Sequence, residues 1–158
     1  MKLKPNYFII PLITIATALL GSLLTNIGMS WYDATLIRPE LTPPKIAFPI
    51  AWTTIFILTA LSALIFWNKS GKKVKMKKWI SIIFLINAIL NILWTFLFFY
   101  SQAIEAALVE MIFLEATVLT LIFLIWKISK TAACLLLPYF IWVGFATYLT
   151  YEIVRLNA

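Results

Sequence analysis

Two glutamates stand inside a long apolar run, where ionisable side chains are rare. Glu110 and Glu115 belong to the run from about residue 104 to residue 126, which beyond its first turn carries no other charge. An ionised carboxylate is costly in hydrocarbon, so an intramembrane acid is either paired or protonated and is a functional candidate by default. Proton coupling is one chemistry that such acids serve. The structural alternative is a hydrogen bond at a dimer interface or to Asn87 or Asn91 across the bundle.

Amide and aromatic side chains recur at helical spacing in the preceding apolar run. Asn87, Asn91, Trp94 and Phe98 follow one another at intervals of four, three and four, which places them on one helical face. An amide in hydrocarbon must be satisfied, so this face should point into a bundle rather than at lipid. The two asparagines therefore bind a neighbouring helix or line a cavity.

The last apolar run repeats this pattern. Tyr139, Trp142, Ala146 and Thr150 share one face that starts beside Pro138, where proline opens or kinks a helix. The small alanine one turn from Trp142 leaves room for a ligand. A buried indole N–H needs a hydrogen-bond partner or a polar ligand, so tryptophans inside apolar runs are candidates for a binding site.

Composition determines which elements can position these residues. The chain has 158 residues, of which 63% are hydrophobic and 12% charged, far from the roughly one quarter charged that is usual for soluble domains. We predict an all-α integral membrane bundle in a single domain over 1–158. Histidine is absent and Cys134 is the only cysteine, which excludes an internal disulfide, a Cys/His metal set and a histidine base. The net charge of +7 is confined to short loops and the ends of the chain, so no nucleic-acid partner is expected.

Five apolar runs are long enough to cross a hydrocarbon core of about 30 Å. They are predicted at about residues 6–27, 47–67, 79–100, 104–126 and 131–154, with a long capping loop at 28–46. A basic start before an apolar run also fits a signal peptide, but the first run is longer than the usual signal core. Ten of the 13 Lys and Arg residues fall at the amino end, in the lysine-rich loop at 68–78 and at 127–130. The positive-inside rule places these parts in the cytoplasm and the capping loop outside.

The segment from Trp31 to Trp52, WYDATLIRPELTPPKIAFPIAW, is the one long stretch that is neither an apolar run nor a charged loop. Its four prolines fix the backbone and remove amide donors, so the part up to Pro44 cannot be one regular helix. Long ordered connections of this kind are more often binding loops or lids than tethers. We predict a rigid cap over an aromatic pocket whose walls include Trp52, Asn91 and Trp94.

The order of three motifs is specific. The capping segment is followed by NAILNILWTFLFF and then by LLPYFIWVGFATYL, in a five-span chain of this length. This order resembles the translocator protein family (TspO/MBR), also called tryptophan-rich sensory proteins or peripheral-type benzodiazepine receptors, in its bacterial form. The resemblance covers essentially the whole chain and implies a homodimer in the lipid bilayer. The short chain and the lysine-rich loop fit a bacterial inner membrane.

The resemblance also implies the ligands and their site. Family members bind flat hydrophobic molecules: tetrapyrroles such as protoporphyrin IX and haem, sterols, and isoquinoline carboxamide drugs. Carried onto matching positions, the pocket comprises Tyr32, Pro43, Pro44, Ile46, Trp52, Asn87, Asn91, Trp94, Tyr139, Trp142 and Ala146. Without histidine there is no usual haem ligand, so a tetrapyrrole is expected as a ligand held by stacking and hydrogen bonds, with no required cofactor and no metal site.

Three functions follow as hypotheses. The first is a receptor or sensor that binds such ligands under the capping loop. The second is a transporter of the same ligands that uses Glu110 or Glu115 for proton coupling. The third is light-driven porphyrin degradation, for which the resemblance implicates Trp52 and Trp142. A sterol-recognition pattern is also met near the carboxyl end, by Leu149, Tyr151 and Arg155.

Overall fold

The computed structural model describes residues 4–71 and 74–158. In chain order its helices are α1 (Asn6–Thr35), α2 (Ala47–Lys69), α3 (Val74–Thr95), α4 (Ile104–Trp126), α5 (Lys130–Cys134) and α6 (Leu137–Asn157). Over those two ranges the structure has no strand, which confirms the all-α prediction. Part of the lysine-rich loop, including Lys72 and Lys73, lies outside the described residues.

Five segments are long and apolar enough to cross a membrane. They are Asn6–Thr35, Ala47–Lys69, Met76–Tyr100, Ile104–Trp126 and Lys130–Asn157, each beginning or ending within several residues of its predicted boundaries. A continuous apolar segment of this length is stable in a bilayer as a helix, because a helix pairs its own backbone N–H and C=O groups without water. The chain is therefore an integral membrane protein of five spans, as predicted.

The helices close into a ring. α1 packs on α2 and α3, α4 packs on α3 and α6, and α2 completes the ring through α5 and α6. α4 supplies the centre, because Leu114, Val118, Leu121 and Ile125 recur every three or four residues and are at most 1% exposed. Between α2 and α6 a space remains inside the ring at the capping-loop end.

The first helix is longer than predicted. α1 continues through residues 28–35, which the sequence placed in the capping loop, so the capping loop is residues 36–46. Gly28 makes this possible by letting α1 lie directly against the backbone of Phe99. One turn later Trp31 and Tyr32 pack on Phe98, with ring centroids 6.3 and 6.0 Å apart. Aromatic packing extends the helix past the end of its apolar run.

The predicted fifth span is also not one helix. It is divided into α5 and α6 by residues 135–136, just before Pro138, which occupies the first turn of α6. Proline is tolerated there because its missing amide would be unpaired anyway. Ser129 caps α5 through the amide of Ala132, and the carbonyl of Ala132 accepts a 2.7 Å hydrogen bond from Ser62 of α2. This break fixes where α6 starts and hence the position of Trp142 along the axis of the bundle.

α3 ends in a π-helical turn, Phe96–Tyr100, before the predicted tight turn at 101–103. The wide turn inserts extra backbone, and π-turns of this kind are often found at functional sites. Gln102 takes a left-handed conformation with φ 56°, and the amide of Ala103 donates to the carbonyl of Leu97. The turn presents Phe98 and Phe99 towards α1.

Candidate functional site

A cavity of about 410 Å³ lies beneath the capping loop, walled by α1, α2, α3 and α6. This volume falls in the range of roughly 300–1,000 Å³ that is typical of small-molecule sites. Its walls are mostly apolar and aromatic, with a few amide and hydroxyl groups among them. We call it the capping-loop cavity.

Four rings form one continuous aromatic wall of this cavity. Trp52 lies between Phe56 and Trp94, with ring centroids 5.9 Å apart in each pair and interplanar angles of 31° and 32°. Trp94 in turn lies 5.8 Å from Phe98 at 35°. Each ring is thus turned only about a third of a right angle from the next, and all four line the cavity. Such a wall suits a flat ligand that stacks on it.

Trp142 of α6 contributes another part of the lining. Its ring meets that of Phe48 edge to face, with centroids 5.9 Å apart. The indole N–H groups of Trp142 and Trp94 are buried and make no hydrogen bond to the described residues. A buried donor without a partner costs free energy, and a small side-chain movement towards a polar ligand would recover it.

A polar network closes the cavity on the side away from the capping loop. Asn91 donates to the hydroxyl of Tyr139 at 3.1 Å, and that hydroxyl donates to Asn87 at 3.2 Å. Asn87 then donates to Thr117 of α4 at 2.8 Å. The two asparagines thus tie α3 to both α4 and α6, and only Asn91 also lines the capping-loop cavity.

The capping loop is held at both of its ends. The side chain of Asn157, at the end of α6, pairs with the backbone of Ile37, accepting from its amide at 3.0 Å and donating to its carbonyl at 2.9 Å. Asp33 of α1 binds Lys45 at 2.6 Å and Arg38 at 3.5 Å. These contacts join the loop to α1 and α6, so the cap is fastened over the cavity.

The structure brings most of the predicted pocket residues together. The cavity wall contains Tyr32, Pro43, Trp52, Asn91, Trp94, Trp142 and Ala146. Four others lie elsewhere: Pro44 and Ile46 are exposed on the capping loop, while Asn87 and Tyr139 lie below the floor in the polar network. Helical periodicity indicates which residues share a face of a helix. It does not indicate which residues of that face lie at the level of the cavity and which lie below it.

Several lining residues were not in the predicted pocket. Phe48 and Phe56 flank Trp52 on α2, and Arg38 and Lys45 come from the capping loop. Phe98 also lines the cavity and had a signal in the sequence, because it continues the face of Trp94. Phe48 and Phe56 stand four residues either side of Trp52, a helical spacing that could have identified them.

The three residues of the sterol pattern do not share a surface. Leu149 is 5% exposed and lines the capping-loop cavity, whereas Tyr151 is 52% exposed on the outside of α6. Arg155 is exposed and pairs with Glu152 at 2.6 Å. A helix turns Leu149 and Tyr151 to different faces, so one sterol cannot contact both in this arrangement.

The intramembrane acids lie away from this cavity. Glu110 is 5% exposed, and both its carboxyl oxygens lack a hydrogen-bond partner among the described residues. The suggested pairing with Asn87 or Asn91 is absent there, because those amides bind Tyr139 and Thr117 instead. Glu115 lies against α6, where a Cβ added at Gly144 would stand 3.0 Å from its Oε1.

A second cavity of about 250 Å³ adjoins the first on the side away from the capping loop. It is enclosed by α1, α2 and α3, with Tyr139 of α6. Phe56 and Asn91 belong to the walls of both cavities, so the two cavities adjoin at these residues. The bundle therefore has two neighbouring, mostly apolar cavities whose walls share one aromatic and one amide side chain.

Comparison with known proteins agrees with the family resemblance of the sequence. The family model described as "TspO/MBR family" matches residues 9–156. The chain is 36% identical to tryptophan-rich protein TspO of Bacillus cereus, with 99% of this chain and 100% of the relative covered. It is 35% identical to the protein of the same name from Chlorobaculum tepidum, over 90% of each chain. It is 28% identical to the translocator protein of Bos taurus, covering 82% of this chain and 76% of the relative.

Proposed function

The chain belongs to the TspO/MBR family, and from this premise we propose that it is a membrane receptor for flat hydrophobic ligands. The ligand classes are tetrapyrroles such as protoporphyrin IX or haem, sterols, and isoquinoline carboxamides. The ligand lies in the capping-loop cavity, between the helix halves nearest the capping loop. We further propose a homodimer in a bacterial inner membrane, with the amino terminus cytoplasmic and the capping loop outside.

The aromatic wall is the observation that carries this proposal. Four neighbouring rings, from Phe56 to Phe98, line one cavity beneath the capping loop, and each is turned by 31–35° from the next. Ring stacking rewards planar, polarisable ligands and places few demands on their substituents. The sequence has no histidine, which is the usual haem ligand, so an iron porphyrin would be held by stacking on its ring and by contacts to its edge groups.

A titration with protoporphyrin IX in the dark tests the proposal. Trp142→Ala should weaken binding by about tenfold, since aromatic pairs contribute about 0.5–1.5 kcal/mol beyond buried area and 1.4 kcal/mol is tenfold. Trp52→Ala should weaken it less, because Phe56 and Trp94 would still offer part of the wall. Trp126→Ala is the matched control, since Trp126 is 46% exposed at the end of α4 and lines neither cavity.

Transport of the same ligands is the second candidate, and the second cavity is what favours it. A ligand that passed Phe56 and Asn91 would move from one cavity to the other along the bundle. The relative from Bos taurus also carries the name translocator protein. Proteoliposomes loaded with a porphyrin acceptor would decide between the two. Transport requires flux through the wild type that Phe56→Trp slows and, if protons are coupled, that Glu110→Gln alters.

The same titration under illumination addresses light-driven degradation. A receptor keeps the absorbance of bound protoporphyrin IX unchanged apart from the bleaching seen with empty detergent. Faster loss with the wild type, slowed in both Trp52→Phe and Trp142→Phe, would instead identify an enzyme. Phenylalanine keeps an aromatic ring on the wall, so the two substitutions separate tryptophan chemistry from loss of binding.

A further inference from the structure

The second cavity opens sideways towards the surrounding bilayer. Three of its lining residues are exposed on the outside of the bundle, namely Ile9 and Ile13 of α1 and Leu85 of α3. The lining residues that α2 contributes are all buried or half-buried. The mouth of the second cavity therefore lies between α1 and α3. A molecule in the bilayer can reach it there without passing through the capping-loop cavity.

The volume and lining of the second cavity suit a narrow apolar chain. At about 250 Å³ it is smaller than the roughly 300–1,000 Å³ that is typical of sites for drug-sized ligands. The hydroxyls of Thr14, Thr17 and Ser81 donate to carbonyls of their own helices, so they are not offered to a ligand. Isoleucine, alanine and aromatic side chains make up most of the remaining wall. An alkyl chain fits such a space better than a large ring system does.

A buried amide without a partner lies at the end of this cavity away from the capping loop. Asn6 is 5% exposed, and its amide makes no hydrogen bond to the described residues. It precedes Ile10, Ile13 and Thr17 at intervals of four, three and four, so it extends the cavity-lining face of α1 by one turn. A buried amide without a partner costs free energy, and a polar group of a ligand at this position would recover it.

A lysine of α3 lies at the same end of the cavity. The Lys77 ammonium stands 4.1 Å from the ring centroid of Trp67, which lines the cavity, and donates to the Trp67 carbonyl at 3.0 Å. Lys77 also lies one turn before the lining residue Ser81. Asn68 donates to the hydroxyl of Tyr7 at 3.0 Å, so the starts of α1 and α3 both meet the end of α2. Asn6 and Lys77 therefore belong to one rim of the cavity.

The charge of this rim is not neutralised by a carboxylate. The three ion pairs among the described residues all lie at the capping-loop end of the bundle. None of the six acidic residues of the chain belongs to the amino end, to the lysine-rich loop or to residues 127–130. Lys77 uses one of its three N–H donors on a backbone carbonyl, which leaves donors and a full charge for an anion.

We propose that the second cavity binds one acyl chain of an anionic phospholipid, whose phosphate lies within reach of Asn6 and Lys77. The chain enters between α1 and α3, the amide of Asn6 donates to the phosphate, and Lys77 attracts its negative charge. In the orientation proposed above, this lipid belongs to the cytoplasmic leaflet. The site requires only a bundle in a bilayer, so it is independent of the proposed receptor function.

Diffuse attraction between the lysines and anionic headgroups is the competing explanation. It predicts that the lysines at this end of the bundle contribute alike and that the shape of the cavity has no effect. The unpartnered amide of Asn6 and the lateral mouth of the cavity favour a defined site instead.

Phosphatidylglycerol and phosphatidylcholine with the same brominated chains test the site, because only the first carries a net negative charge. Bromine quenches a tryptophan that it contacts, and Trp67 lines the second cavity. Each lipid is titrated into the protein in a neutral detergent, and affinity is taken from the midpoint of quenching. We expect saturable quenching with a lower midpoint for phosphatidylglycerol. Trp67→Phe should abolish the saturable component, whereas Trp126→Phe, at the exposed end of α4, should retain it.

Substitutions at the rim and in the cavity separate the two explanations. Lys77→Gln should lower the preference for phosphatidylglycerol about fivefold, the usual contribution of one lysine near an anionic lipid surface, while the exposed Lys127→Gln should retain the preference. Ala60→Leu fills the cavity and should weaken both lipids severalfold, while Ala116→Leu, exposed on α4, should weaken neither. Asn6→Leu removes a donor to the phosphate that both lipids share, so it should also weaken both. Thermal unfolding without lipid checks that each variant is folded.

Equal loss of preference in Lys77→Gln and Lys127→Gln, with unchanged binding to Ala60→Leu, would assign the lipid to diffuse attraction and overturn the proposal. Wild-type protein without saturable quenching, or without a preference for the anionic lipid, would overturn it as well. Ala88→Leu fills the same cavity from α3 and takes the place of Ala60→Leu if that variant does not fold.

Discussion

Replacing Gly28 by alanine is the sharpest test of how α1 is seated. A Cβ at this position would lie 2.7 Å from both the carbonyl carbon and the Cβ of Phe99, and closer still to its carbonyl oxygen. Real Cβ atoms do not approach backbone this closely, and the carbonyl is fixed by the π-helical turn. α1 and the end of α3 would have to move apart, because no flexible side chain is there to yield.

The expected cost follows from two opposing effects. Overpacking costs about 1–3 kcal/mol, and contact with backbone places this site near about 3 kcal/mol. Alanine recovers about 1 kcal/mol of helix propensity relative to glycine. The net destabilisation is then about 2 kcal/mol, or a fall of roughly 4–8 °C in the melting temperature for a chain of this size. Tyr32 and Phe98 lie beside the contact, so ligand affinity should also fall.

Gly21 provides the matched control on the same helix. A Cβ there would meet only the hydroxyl of Thr95, at an ordinary 3.7 Å. Gly21→Ala should therefore raise the melting temperature by a few degrees through helix propensity alone. Thermal unfolding of both variants in one detergent, at one scan rate, measures the difference. A Gly28→Ala variant as stable as Gly21→Ala would refute the close approach of α1 to the π-helical turn.

Three further substitutions test other contacts. Tyr139→Phe removes the hydroxyl that both buried amides of α3 bind, so it should lower the free energy of unfolding by about 1–3 kcal/mol. Tyr148→Phe, on the exposed surface, is the control and should cost nothing measurable. Equal stability of these two variants would contradict the polar network. Asn157→Ala removes two hydrogen bonds to the capping loop, which should lower the local stability of the loop by ~1 kcal/mol. Trypsin should then cleave the loop after Lys45 about fivefold faster. An unchanged cleavage rate would show that the loop is held elsewhere. Both carboxyl oxygens of Glu110 are buried without a hydrogen-bond partner among the described residues, and methionine has a similar length without them. Glu110→Met should therefore leave the melting temperature equal or raise it. A marked fall in the melting temperature would reveal a hydrogen bond across a dimer interface.

The spans could be predicted from sequence because their cause is local. Twenty or so apolar residues bounded by lysines or prolines have one stable solution in a bilayer. The inward face of α3 was likewise predictable, since amides and a tryptophan at helical spacing avoid lipid. Asn87 and Asn91 do point inward and satisfy each other through Tyr139.

What the sequence could not supply depends on contacts between distant residues. Asn157 holds Ile37 across most of the chain, and no local pattern indicates that pairing. The extension of α1 past residue 27 depends on the contact between Gly28 and Phe99. That Asn91 lines the capping-loop cavity whereas Asn87 lies below it depends on where Tyr139 enters the bundle. Each is decided by packing geometry, which periodicity does not encode.

The affinity of Trp142→Ala for protoporphyrin IX, relative to wild type and to Trp126→Ala, tests the central claim most directly. It should be read from the midpoint of the tryptophan-quenching titration rather than its amplitude, because energy transfer reaches tryptophans outside the site. If the capping-loop cavity is the binding site, Trp142→Ala shifts the midpoint about tenfold and Trp126→Ala leaves it unchanged. Equal midpoints for all three proteins, with Trp52→Ala also unchanged, would contradict the account.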